Sequence, residues 1–213
     1  LEIIVCRAGD WAPTGGNYRM VTKDSNTTAR EFRFLISQNG GLKYEASTDG
    51  TAYNSAEEAS ALPFSLNDPG WVRVVHNLTG GTAQFYTGTD PVTTDPTSVS
   101  WSTFGTSKSS TTSISNEASI LTAGGKINDV HPQYYGMWLY YDGSEVANPD
   151  PRTDAQGWSS APATDDHGNS WALTGGATWV APVSEDTYLG NYLATQSGLL
   201  VPNKALLVSE KVG

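Results

Sequence analysis

The sequence predicts an all-β protein, an antiparallel two-sheet sandwich of the jelly-roll type, and three observations predict it. Only 16% of the 213 residues are charged, while Gly (22), Ser, Thr and aromatic residues (10%) are plentiful. A helical bundle would instead be rich in Ala, Glu, Lys and Leu. Short apolar runs alternate with polar residues at a period of two, the signature of a strand with one buried face. Turn residues separate these runs at short intervals, as in sandwiches and jelly rolls.

The elements follow in order. Leu1 to Cys6 is apolar and reads as the middle of a strand, so further residues are expected upstream. Glu31 to Ile36 places Phe32, Phe34 and Ile36 on one face, and Leu42 to Ala46 groups Leu42, Tyr44 and Ala46. Between them, Gln38-Asn39-Gly40-Gly41 supplies hairpin chemistry, since Asn-Gly tolerates positive φ. Thr48-Asp49-Gly50-Thr51 is a further turn, and Ser55 to Ala61, with two Glu and three Ala, predicts a turn or two of helix. Trp71 to Asn77 is the strongest strand, with Thr82 to Thr87 as its hairpin partner. Ser98 to Phe104 predicts a strand carrying Trp101, and Ser107 to Ser113 a loop or exposed edge. Ala118 to Leu121 is short and apolar; Tyr134 to Tyr141 suits a strand buried on both faces. Asn148-Pro149-Asp150-Pro151 then breaks regular structure. The polar turn Asp165 to Asn169 leads into Trp171-Ala172-Leu173 and Ala177 to Val180, read as a small hairpin. The expected organisation is a sandwich over 1–147, an appended hairpin over 148–181 and an extended C-terminal docking segment over 182–213.

Acids outnumber bases 22 to 12, for a formal charge of -10. No basic stripe of the kind a duplex nucleic-acid reader shows is present, and no apolar run approaches the roughly 20 residues of a membrane helix. The single cysteine, Cys6, forms no intrachain disulfide and reads as a buried strand thiol. Asn26-Thr27-Thr28 and Asn77-Leu78-Thr79 fit the glycosylation acceptor pattern, which matters only in a eukaryotic secretory pathway.

Several loose motifs occur in a telling order: Tyr44 to Thr51, Leu62-Pro63-Phe64, Gly70-Trp71-Val72-Arg73-Val74, then Thr82 to Thr87. This order resembles laminin-G-like, concanavalin A-like β-sandwich domains. The later Asp142 to Asp150 stretch and an Asp-x-x-Gly-Asn-x-Trp block ending at Trp171 look like the end of such domains in tailed-bacteriophage virion proteins, minor tail proteins among them. The segment from Asn128 to Gln133 departs from the pattern, and the tail from 182 onward has no counterpart in it. The resemblance implies a non-enzymatic structural or adhesion protein on the virion surface, as a minor tail protein or a head decoration or fibre component. Its partners would be other virion proteins, further copies of itself and a host cell-surface glycan, with neither nucleic acid nor membrane involved. The alternative is a free carbohydrate-binding lectin domain, with or without calcium; a glycan hydrolase is the third reading.

The candidate chemistry is sparse. Retaining glycosidases need two carboxylates at roughly 5 Å. Glu45 with Asp49, Glu57 with Glu58 and Glu185 with Asp186 do not give the alternating acid pattern that sandwich glycosidases carry. The three histidines, His76, His131 and His167, are scattered, and neither a zinc spacing, a phosphate-binding loop nor a nucleophile elbow occurs. Calcium takes 6–8 oxygen ligands. Asp24, Asp49 and Asp90 lie in predicted turns and read either as its ligands or as ordinary turn residues. Tyr53, Trp101, Tyr135 and Trp158 fall in or beside loops, where a flat ring could stack on a sugar; they read equally as core or interface residues. Tyr188, Leu189, Tyr192, Leu199, Leu200, Leu206 and Leu207 are the candidate assembly contacts.

Overall fold

The computed structural model describes residues 1–24, 29–116, 119, 121–123, 133–150, 152 and 163–171. The chain divides into two compact units, Leu1–Pro149 and Asp150–Gly213. Trp158, His131, Asn26, the second half of the expected hairpin and the whole 182–213 segment with its candidate contacts lie outside the described residues.

The first unit is a two-sheet antiparallel sandwich. Its strands are β1 (Glu2–Ala8), β2 (Tyr18–Asp24), β3 (Arg30–Ile36), β4 (Leu42–Ala46), β5 (Asn54–Glu58), β6 (Gly70–Asn77), β7 (Thr82–Gly88), β8 (Ser102–Ser109), β9 (Leu121–Ala123), β10 (Gln133–Tyr141) and β11 (Ser144–Ala147). One sheet runs β11-β10-β1-β6-β7-β8 and the other β5-β4-β3-β2-β9. The described residues contain no α-helix, only a 3-10 turn at Pro96–Ser98. The helical expectation for Ser55 to Ala61 is thereby corrected: Asn54–Glu58 is a strand paired along β4 from Ala46↔Asn54 to Leu42↔Glu58. The Ala/Glu propensity of five residues is worth far less than an edge ladder of backbone hydrogen bonds.

The register fixes which residues share a face. On β1, Ile3 and Val5 face inward with Val72 and Val74 of β6, Phe85 of β7, and Met137 and Leu139 of β10. Phe32, Phe34, Ile36, Leu42 and Tyr44 meet them from the other sheet. Phe34 and Phe85 stack across the interior at 6.4 Å between centroids. Two polar devices cross this core. His76 accepts a hydrogen bond at Nδ1 from the Tyr44 phenol (3.1 Å) and donates from Nε2 to the Thr111 carbonyl (2.7 Å). Burial pushes its imidazole below the ordinary histidine value, although the Thr111 bond works against that. At one end, the fully buried Arg7 guanidinium lies over the rings of Trp11 (4.7 Å) and Tyr18 (4.6 Å).

The edges are managed. β8 reaches further than expected, to Ser109, and Gly105 takes φ 68° in an irregularity between the Phe85↔Phe104 and Ala83↔Lys108 pairs. A bulge and an inward-turned ion pair both discourage pairing with another chain. That pair, Lys108 with the buried Glu58 at 3.0 Å, ties the edge strand of one sheet to that of the other. Hydrogen bonds from Ser60 and then Lys108 hold the Glu58 carboxyl down to about 2.

In the second unit, β12 (Ala163–Thr164) pairs with β13 (Ser170–Trp171). The expected turn at Asp165 to Asn169 is present and joins these two strands; the expected hairpin from Trp171 to Val180 lies, beyond Trp171, outside the described residues.

Candidate functional site

The outward face of the six-stranded sheet is unusual for its chemistry. By register, Glu2, Ile4 and Cys6 of β1 share this face with Trp71, Arg73 and Val75 of β6, Gln84 and Tyr86 of β7, and Trp138 and Tyr140 of β10. An antiparallel sheet with one solvated face shows polar residues there. Here one end is dry instead. Ile4, Cys6, Trp71 and Trp138 form a second apolar core with Val99, and Val92, Trp101, Tyr135 and Tyr140 pack against it. The Trp71 and Trp138 rings stack at 5.5 Å.

The 89–101 connection supplies the cover. It straps across Trp71, whose indole N–H donates to the carbonyls of Asp90 (3.0 Å) and Pro91 (3.3 Å). The Asp90 carboxylate closes the strap on itself by accepting from the Ser100 amide (2.9 Å). Asp95 caps the 3-10 turn by accepting from the Thr97 amide at 2.8 Å. The strap ends on Trp101, which meets Trp71 edge-on with centroids 6.5 Å apart.

Beyond the strap the same face is open. Glu2, Arg73, Val75, Gln84, Tyr86, Trp101 and Tyr140 are all partly exposed. Arg73 lies 5.1 Å from the Tyr86 ring centre and 5.5 Å from that of Trp101, and its Nε pairs with Glu2 Oε1 at 2.8 Å. Burial first, then the Glu145 hydrogen bond and the charges of Glu145, Glu2 and Asp95, raise the Tyr140 phenol above the ordinary tyrosine value. A shallow depression of about 130 Å³, lined by Glu2, Val75, Tyr140, Asp142 and Gly143 with Leu1, continues the open half. Flat rings beside paired donors and acceptors can hold a ligand with an apolar face and hydroxyl edges. A second depression, about 230 Å³, is lined by Asp10, Trp11, Ala12, Gly40, Ala61, Leu62, Phe64 and Leu66; with Asp10 its one charged residue, it offers far less for hydroxyls.

The residues singled out from sequence are thus divided. Trp101 and Tyr135 belong to the outward cluster, Tyr135 with its phenol on Gln133 at 3.1 Å. Tyr53 lies with the other sheet: its phenol donates to Asp24 (2.8 Å), and the Arg33 guanidinium sits 4.4 Å from its ring centre. Its ring is therefore already engaged. The three aspartates form no common cluster, and among the described residues no group of three or more His, Cys, Asp or Glu is arranged to hold a metal ion. Asp24 is ion-paired with Arg33. Burial would raise its carboxyl, but the hydrogen bonds from Arg33 and Tyr53 and the nearby arginine charges outweigh that and lower it. Asp49 accepts from Thr51 N (2.8 Å), Ala52 N (3.1 Å) and Ser47 Oγ (3.1 Å), and those bonds, Thr51 first, hold it well below the carboxylate range. Asp90 is the clamp of the strap.

Sequence reasoning missed Glu2, Arg73 and Tyr86. A signal was available: the outward positions of the strongest hairpin read Trp71, Arg73 and Gln84, Tyr86, bulky and aromatic where a plain solvent face needs neither.

The Asp-x-x-Gly-Asn-x-Trp block has a structural explanation. Asp165, buried, accepts from the Asn169 amide (2.9 Å), the Asn169 side chain (3.0 Å), the His167 amide (3.0 Å) and the Trp171 indole (3.0 Å). Gly168 takes φ 80°. All four fixed positions of the block serve one hairpin turn built around a carboxylate.

Neither a family model nor a curated protein sequence matches the chain. Among solved structures, the CBM40 domain of the Ruminococcus gnavus IT-sialidase is similar at 12% identity and a TM-score of 0.37, over 63% of this chain and 74% of that one. The same domain bound to α2,3-sialyllactose gives 11% and 0.37, over 62% and 72%. The binding domain of botulinum neurotoxin serotype D gives 9% and 0.40, over 68% of this chain and 34% of that one, so the chain spans about a third of its length. These are likenesses of β-sandwich architecture.

Proposed function

We propose that the chain is a non-catalytic, lectin-like binding domain that holds a carbohydrate on the open half of the outward face. One observation carries this reading: Trp101 and Tyr86 flank Arg73, itself paired with Glu2, at the margin of a strap that fixes Trp101 in place. A pyranose presents a C–H face to a ring and hydroxyls to its rim, and a guanidinium beside a carboxylate offers both hydrogen-bonding senses. Two acids of the patch are engaged, Glu2 by Arg73 and Glu145 by Tyr140, which favours binding over acid/base chemistry. The finer setting, an exposed module of a tailed-bacteriophage particle, is supported by the order of sequence motifs alone, and docking through residues 182–213 by the apolar patches of that segment.

A glycan array, repeated with EDTA, tests the binding reading. Binding should survive EDTA, and Trp101→Ala should weaken it at least tenfold, or about 1.4 kcal/mol. Silence on neutral and charged glycans alike, or full binding by Trp101→Ala, defeats it. A turnover assay on the same glycans should show no products. Deleting 182–213 should abolish incorporation into particles while leaving the array pattern intact.

A further inference from the structure

We infer that the patch selects uncharged glycans, and that Glu2 is the residue that excludes acidic ones. This rests on the carbohydrate reading of the same face and narrows it to a substrate class. Among the described side chains, Arg73 is the cation that reaches the patch, and it is already neutralised by Glu2 at 2.8 Å, with both side chains only a quarter exposed. The Leu1 ammonium at the margin of the depression is half-buried, donates to the His76 carbonyl (3.1 Å) and faces Glu2 and Asp142. Further acids surround it. Glu145 is hydrogen-bonded to the Tyr140 phenol, Asp95 acts on that phenol together with Glu2, and Asp142 lines the depression that Glu2 and Tyr140 share. Glu2 and Tyr140 are themselves directly opposite in register, so these charges converge on one spot of the face. A vicinal diol matches an Arg–Glu pair from both sides: one hydroxyl donates to the carboxylate while its neighbour accepts from the guanidinium. A carboxylate or sulfate on the sugar would have to displace Glu2 from Arg73 or approach the acids unpaired. A like charge placed in that way is rejected, which is how a site gains selectivity without gaining contacts.

The test uses matched pentasaccharides of glucose, galactose and mannose, each as the neutral sugar and as its C6-oxidised uronic acid form. They are titrated calorimetrically into the full chain at 0.15 M and 1 M salt. At 0.15 M the neutral form of whichever sugar binds should be preferred by about tenfold or more. At 1 M, where the screening length falls to about 3 Å, the preference should shrink. Glu2→Gln keeps the shape of the side chain and removes its charge; it should narrow the preference at 0.15 M by raising affinity for the uronate. Should that variant fail to fold, judged by its melt, the salt series on the unaltered chain decides. Equal or tighter uronate binding by the unaltered chain, or a preference that folded Glu2→Gln leaves unchanged, overturns the assignment while leaving the carbohydrate reading standing. No binding of any pentasaccharide removes both.

Discussion

The two faces of the six-stranded sheet are both apolar in part, yet they are kept dry by different means. The inward face, with Ile3, Val5, Val74, Phe85 and Met137, is covered by a second sheet. The outward face, with Ile4, Cys6, Trp71 and Trp138, is covered at one end by the 89–101 strap. A sheet covers a whole face, because strands pack side by side along its length. A strap covers only what it crosses, and the rest of the face is left exposed beside a rigid apolar floor. Binding surfaces arise readily in that situation, on loops and rims held by a scaffold. The inward core gives the domain its stability, and the outward core floors the face on which we propose that a ligand binds.

The sharpest way to test the comparison is to remove one large ring from each face. Phe85→Ala and Trp71→Ala should each cost about 3–5 kcal/mol, since both side chains are fully buried. In a thermal melt that is a fall on the order of 10 °C. The two losses should differ in kind. Trp71→Ala also frees the carbonyls of Asp90 and Pro91, so limited proteolysis should cut within 89–101 before the domain melts. Phe85→Ala should show no such early cut. If Trp71→Ala costs under about 1 kcal/mol, the outward cluster is not a core in the energetic sense.

Acid should strain the inward face. His76 bridges the two sheets in its neutral form, and burial keeps its folded value below the ordinary 6.5. The unfolded chain therefore takes up the proton first as pH falls. The contribution of His76 to stability is complete above about 6.5 and is lost as pH drops through the folded value. The slope in that window is at most about 1.4 kcal/mol per pH unit for one proton. Melts at pH 7.5, 6.5 and 5.5 should show the fall, and His76→Gln should flatten it. A slope unchanged in His76→Gln would assign the acid sensitivity to other groups.

The faces were unequally legible in the sequence for a physical reason. Where strands alternate without interruption, as in Phe32-x-Phe34-x-Ile36 and Leu42-x-Tyr44-x-Ala46, the inward residues can be read by counting. Tyr18–Asp24 was missed because the ladder with β3 shifts between Arg19 and Val21, which breaks the period of two. Asn54–Glu58 was misread because its local preference is helical and only the neighbouring edge makes it a strand. Tyr134 to Tyr141 reads as a strand buried on both faces, which implies that something covers the outward side; Gly136 to Leu139 are buried, whereas Tyr134, Tyr135 and Tyr140 are half-buried and Tyr141 is exposed. What covers it could not be read. Val92, Val99 and Trp101 follow no period, and they share a cluster only because the strap is pinned to Trp71. Trp101 could be named from its place beside a loop; Tyr135, named on the same ground, lies inside β10 and is half-buried against the outward cluster, and Arg73 and Tyr86, inside strands, looked like ordinary pleat positions.

The mildest substitution probes the link between cover and site. Asp90→Ala removes the acceptor that holds the Ser100 amide, one residue before Trp101. It deletes no buried apolar surface, so the stability loss should be about 1 kcal/mol, the usual cost of a lost capping bond. The effect on binding should exceed the effect on stability. Trp101 would lose the anchor next to it while Tyr86 and Arg73 stay fixed in their strands, and a platform with one loosened ring pays an ordering cost each time a ligand binds. Affinity for the glycan should then fall about tenfold at unchanged stoichiometry, and near-ultraviolet circular dichroism should register a changed tryptophan environment. Asp90→Asn, which retains a carbonyl acceptor for the Ser100 amide, should recover most of both. If Asp90→Ala loosens the strap yet leaves affinity intact, Trp101 is held by its edge-on contact with Trp71 alone, and the strap serves only to keep the outward core dry.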